Sequence, residues 1–89
     1  MIYITHIRLS VPSPQHEHIT DLKWQDAADG KVGETTRPNM VKWLREGGDA
    51  RVRDARGETA VRVVDAVPPY VRTVADGRWT DNLLALPRF

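Results

Sequence analysis

"TRPNMVKWLREGG", residues 36–48, decides the fold, because it is the one clear helical stretch in the chain. Thr36 offers a side-chain oxygen as N-cap, and Pro38 falls in the first turn, where a missing N–H costs nothing. Met40, Trp43 and Leu44 recur at i, i+3, i+4 and form one apolar stripe, with Val41 on its flank. Gly47 supplies a residue free to turn left-handed and end the helix. Around this single helix the periodicity is that of strands, which sets the class as α+β.

Upstream, Ile2–Ser10 is rich in β-branched residues and reads as strand one. The "VPSPQHE" segment follows, and its prolines cannot donate to a ladder, so it reads as a loop. His18–Gln25 alternates and reads as strand two, antiparallel to the first. Residues 26–36, "DAADGKVGETT", are turn-rich and expected to be exposed. Downstream, "ARVRDARGETAVRVVDAV" reads as a hairpin turning at Ala55-Arg56-Gly57, with Val52, Val61 and Val63 on one face and arginines on the other. "YVRTVADGRWT" reads as a second hairpin with Asp76-Gly77 at its tip. The last nine residues, "DNLLALPRF", are apolar enough that docking onto the sheet is expected.

The expected architecture is a single domain over residues 1–89. It has a mainly antiparallel sheet of four to six strands with one helix packed on a face, in the order β-β-α-β-β. A C-terminal hairpin and a docked tail follow. The helix stripe is expected to meet Ile4, Leu22, Val61 and Val63. At 89 residues the chain builds a thin core, so its six aromatic residues carry unusual weight.

Composition excludes several classes. Apolar residues make up 40% and charged residues 28%, an ordinary globular balance. The net charge is +1, with neither half of the chain basic, so no broad electrostatic footprint for nucleic acid exists. With no cysteine, disulfides, thiolate metal sites and cysteine nucleophiles are out. "MIYITHIRLS" lacks the pattern of a signal peptide, and no apolar run reaches the ~20 residues that span a bilayer. The expectation is a soluble cytoplasmic protein that does not engage a membrane. GxGxxG, P-loop, HExxH and EF-hand patterns are missing, so no cofactor is implied. Gly47-Gly48 follows a helix rather than preceding one, which is wrong for a phosphate cradle.

At "THIRLS", "HEHI" and above all "PPYVRTVADGRWTDNLLALP", the chain resembles a family of small bacterial proteins known as a domain of unknown function, family 3892. The C-terminal stretch is the specific part, and with the Met-Val-x-Trp helix core the likeness covers nearly the whole chain. Only the loop "VPSPQ" differs, being proline-rich where glycine would be expected. The resemblance implies a stand-alone α+β unit and brings no activity, ligand or catalytic residue.

Three groups of residues carry the functional expectations. The C-terminal set Arg72, Asp76, Arg78, Trp79, Asp81 and Asn82 falls within eleven residues. It suits a polar clasp around a small anion or nucleotide, with guanidinium groups for phosphate and the Trp79 indole for stacking. The same residues also have structural work: a turn at Asp76, an Arg72–Asp81 pair, Trp79 over the core. The strand arginines Arg51, Arg53 and Arg62 would meet phosphates if the chain bound nucleic acid. His6, His16 and His18 would hold a metal, or serve an enzyme, if brought together. In an extended strand His16 and His18 share a face, as do Ile2, Ile4 and His6 on strand one and His18, Leu22 and Trp24 on strand two, the side expected to face the core. If residue 10 faces residue 18, His6 lies opposite Leu22, ~13 Å from His18, too far for a shared ion. If His6 faces His18, the rings touch. No nucleophile stands out; Ser10 and Ser13 are the only serines. The leading expectation is therefore a small non-enzymatic binding or interaction module, with a regulatory role open. Its partner would be another protein or nucleic acid, and a free edge strand would allow a homodimer as well as a monomer.

Overall fold

The computed structural model describes residues 1–10 and 15–89, and the expected proline loop over 11–14 lies outside them. Seven strands form one mixed sheet: β1 Ile2–Leu9, β2 Ile19–Asp26, β3 Val32–Thr36, β4 Ala50–Asp54, β5 Gly57–Val64, β6 Tyr70–Ala75 and β7 Arg78–Thr80. The spatial order is β3-β2-β1-β4-β5-β6-β7. One helix, α1, spans Arg37–Arg45, and a short 3-10 turn spans His16–His18.

This corrects the expected four to six strands. The extra strand is β3, in the stretch expected to be an exposed loop. Val32, Gly33, Glu34 and Thr35 alternate across β2 from Gln25 to Leu22, a signal masked by the glycines around them. The sheet is also not purely antiparallel. β1 and β4 run parallel, paired only at Ile2–Ala50 and Tyr3–Arg51, because α1 carries the chain back between them.

Two bulges decide which side chains face inward. The β1–β2 ladder shifts between Ile4 and His6 and again between Arg8 and Leu9. Thr5 is thus an extra residue on β1, and Thr20 on β2. A bulge advances the side-chain alternation by one residue. Ile2, Ile4 and Ile7 are therefore buried in place of Ile2, Ile4 and His6, and Ile19 and Leu22 in place of His18 and Leu22. His6 is turned to the opposite face, where its Nδ1 lies 3.0 Å from Thr5 Oγ1.

The helix begins as its sequence demands: Thr36 Oγ1 accepts from the Asn39 N–H at 3.3 Å, and Pro38 sits in the first turn. Its buried residues are Met40 and Val41, with Leu44 partly buried. Trp43, expected in the stripe, lies to the side and is 37% exposed. Trp79, expected over the core, is 46% exposed on the short edge strand β7. The interior is aliphatic instead: Ile4, Ile7, Ile19, Leu22, Val52, Val61, Val71 and Leu83 are almost fully enclosed.

The C-terminal residues dock as a surrogate strand. Pro87 C=O accepts from the Ile7 N–H at 3.0 Å, and the Phe89 N–H donates to Ile7 C=O at 3.1 Å. The tail runs parallel to β1 at an Ile7–Arg88 bridge, on the flank that β4 leaves after Tyr3. Phe89 lies beneath two cations, Arg8 at 4.4 Å and Lys23 at 4.8 Å from the ring centre. Leu83 plugs the core with no exposed surface. Truncating it to alanine should cost about 2–5 kcal/mol, the usual range for a well-packed leucine. We expect a lower urea midpoint at unchanged slope; a change below about 1 kcal/mol would show that the tail does not complete the core.

Candidate functional site

The fold gives the members of the three expected groups different surroundings. Arg51 lies between two carboxylates, with Nη2 3.1 Å from Asp49 Oδ2 and Nη1 2.9 Å from Glu58 Oε2. The Tyr3 hydroxyl donates to the other oxygen of Glu58. That bond pushes the Tyr3 pKa up and, with Arg51, holds Glu58 down. The guanidinium bonded to Asp49 likewise lowers that carboxyl. Arg53 stacks on the Tyr3 ring at 4.3 Å. Arg62 is exposed and lines the cleft between the end of α1 and β4–β5, about 820 Å³, with Arg45, Arg51, Asp49, Glu58 and Asp65. Arg45 and Asp65 pair across it at 3.0 Å. Its cations and carboxylates are matched in number, which offers a polyanion little net attraction.

The histidines are not assembled. His6 pairs across from Lys23, whereas His18 precedes Ile19 at the far end of the ladder, about five residues or ~16 Å away along the strand. His16 and His18 belong to a 3-10 turn rather than a strand, so the shared strand face does not exist. Among the described residues no group of three or more His, Cys, Asp or Glu side chains could hold a metal ion.

His16 instead meets the C-terminal set. It is 6% exposed, with Nε2 4.0 Å from Asp81 Oδ1. Arg72 holds the same oxygen at 2.9 Å and donates from Nε to the Thr80 carbonyl at 3.1 Å. Asn82 reaches Asp54 and Thr59 instead, and Asp76 makes the hairpin tip with φ of 53°. Arg78 and Trp79 lie on exposed β7. His16 Nε2 and His18 Nδ1 are buried without a hydrogen-bond partner among the described residues.

A different place in the fold has the character of a ligand pocket, and no motif announced it. A groove of about 460 Å³ lies between α1 and the β2–β3 arm, lined by Ile2, Trp24, Asp26, Glu34, Thr35, Asn39, Met40 and Trp43. That size and its two indole walls match small-ligand sites generally, with Asp26, Glu34, Thr35 and Asn39 as the polar half of the lining. Each tryptophan rests against a glycine. A Cβ at Gly33 would sit 2.5 Å from Trp24 Cζ2, and one at Gly48 would sit 2.3 Å from Trp43 Cδ2. Any other residue there would force the indole away. No basic residue lines this groove; of its two acidic residues, Asp26 lies on the groove side of the sheet, while Glu34 is paired with Lys23 and its side chain shares the opposite face. Asp26 shares the helix side of β2 with Trp24, and its Oδ1 also accepts from the Ala28 N–H at 2.7 Å. The signal available in the sequence was the Trp24/Trp43 pair with Gly33 and Gly48, but nothing local links positions so far apart.

Residues 3–87 match the model of a family described as a protein of unknown function (DUF3892). No curated protein and no solved structure matches the chain.

The His16 environment sets a pH response. Burial lowers its pKa first, Arg72 lowers it further, and Asp81 and Glu17 offset part of this. Below the ordinary histidine value of ~6.5 the unfolded chain therefore binds the proton more readily than the folded one. Stability is retained above that pH and lost as pH falls through the lower folded value. Relative to His16→Gln, the wild type should lose denaturation midpoint between pH 7.5 and 5.5; parallel profiles would contradict this.

Proposed function

The chain belongs to the DUF3892 family, and we propose that it is a non-enzymatic binding module whose site is the groove between α1 and β2–β3. Its occupant is a cationic group on an apolar carrier. The observation that supports this is the pair of indoles set against glycines around a groove that Asp26 lines and no basic residue does. An indole face attracts an ammonium or guanidinium group through its quadrupole, and Asp26 adds a countercharge on the same side of the sheet. The strand arginines support a phosphate-binding reading less well, since Arg51 and Arg53 are engaged with Asp49, Glu58 and Tyr3. The C-terminal set remains a second reading, on the unpartnered Nε2 of His16 beside Arg72 and Asp81.

Magnitudes predict weak binding of a lone side chain. A cation–π contact contributes about 0.5–2 kcal/mol and a partly exposed ion pair about 0.2–1 kcal/mol. A millimolar complex needs about 4 kcal/mol in total, so an isolated cation should bind no tighter than that. The test is an NMR titration of the indole N–H signals with N-acetyl-arginine methylamide. We expect saturable shifts at Trp24 and Trp43 in the millimolar range. The glutamate analogue should give none, and Asp26→Asn should weaken the response about fivefold, the equivalent of ~1 kcal/mol. Asn keeps the acceptor for Ala28, so the turn survives. An identical response to the uncharged norleucine analogue would overturn the reading.

A further inference from the structure

We infer that the open edge of β3 takes an extended basic peptide as an added strand, with its cationic side chains entering the groove. This rests on the groove reading above and names its partner.

β3 is one of the two sheet edges. Its pairing with β2 fixes which backbone groups are free. The Asp26 N–H donates to Lys31 C=O at 2.7 Å, which sets the phase of the ladder with Asp26 and Lys31 at a hydrogen-bonded position, though the Lys31 N–H itself turns to Asp29 Oδ1. In an antiparallel ladder such pairs recur every second residue. Trp24–Gly33 and Leu22–Thr35 are therefore bonded pairs as well. Val32 and Glu34 belong to the intervening type, so their N–H and C=O groups point away from β2, along the open edge. Val32 is 75% exposed and Glu34 is exposed.

The side chains agree with this geometry. Gly33 carries none, and the Trp24 indole lies across it, which brings the ring out to the edge. In an added strand, residues opposite Gly33 and Thr35 would stand on the helix side, beside Trp24, Asn39 and Trp43. Strand addition of this kind draws affinity from main-chain hydrogen bonds and specificity from pockets for alternate side chains. The backbone bonds supply what a lone cation lacks. The charge argues for a basic partner and against a second copy of this chain. Antiparallel self-pairing of β3 in the register centred on Glu34 would set two Glu34 carboxylates directly opposite, which is destabilising. The opposite edge, β7, has only three residues, and shortness is a common protection for an edge.

The probe is a seven-residue peptide of alternating lysine and threonine, acetylated and amidated. We expect it to bind wild-type protein at least tenfold more tightly than N-acetyl-lysine methylamide. Glu34→Pro removes one outward N–H and no bond to β2, and the Glu34 side chain shares the Lys23 face, away from Trp24 and Asp26, so it should abolish the gain while leaving binding of the single amino-acid amide. Glu34→Gln should retain most of the gain, separating the backbone group from the charge. If Glu34→Pro does not fold, wild-type protein is titrated with the same peptide N-methylated on its bonding edge, which should lose the gain in the same way. A peptide that binds Glu34→Pro, or its N-methylated form that binds wild type, as tightly as the parent pair overturns strand addition while the groove reading stands. Failure of both peptide and amino-acid amide sinks the groove reading itself. A monomer–dimer equilibrium that Glu34→Pro abolishes would make a second copy the occupant and overturn the peptide.

Discussion

The fold depends on a pair of hydrogen bonds between Ile7 and the tail, Ile7 N–H to Pro87 C=O and Phe89 N–H to Ile7 C=O. β1 is paired with β2 along its length but with β4 only at Ile2 and Tyr3. Beyond Tyr3 its other flank would expose backbone groups beside a buried Ile7, and unpaired buried amides are costly. The tail supplies both bonds. In reaching that position it threads Leu83 through the core and sets Phe89 under Arg8 and Lys23. A chain of 89 residues has little core to spare, so this final segment works as an element of the sheet.

Much of this was legible. The capped helix, the Asp76-Gly77 hairpin tip and the apolar "LLALP" tail each carry a local signal with one reading. The bulges at Thr5 and Thr20 carry none. Period-two reasoning therefore sent His6 inward, where Ile7 belongs, and placed His18 beside Leu22, where Ile19 belongs. A bulge is chosen by packing across the whole sheet, and its trace here is an aliphatic residue three positions from another, Ile4 and Ile7 on β1 and Ile19 and Leu22 on β2. Trp43 was misplaced for a related reason. Helical spacing gives the stripe its residues but not its centre, and the centre falls on Met40 and Val41.

The candidate site was less legible than the fold. Motif reading favours residues close in sequence, such as Arg72 to Asn82 or His16 to His18. The fold divides the first set between a pair with buried His16, a hairpin tip and an exposed edge. The groove is assembled from Trp24, Asp26, Gly33 and Trp43, which belong to three elements, and β3 was hidden in a stretch dense with turn residues. Gly33 and Gly48 read as loop glycines; in the structure they are the seats of two indoles. The groove and the open edge of β3 lie on the arm of the sheet farthest from β7.

Amide hydrogen exchange tests the central claim most directly. The Ile7 and Phe89 amides should be protected nearly as well as the Ile4 and Val61 amides, opening only with global unfolding. If Ile7 and Phe89 exchange at close to free-chain rates while Ile4 stays protected, the tail is not part of the sheet and the account of how this small core closes is wrong.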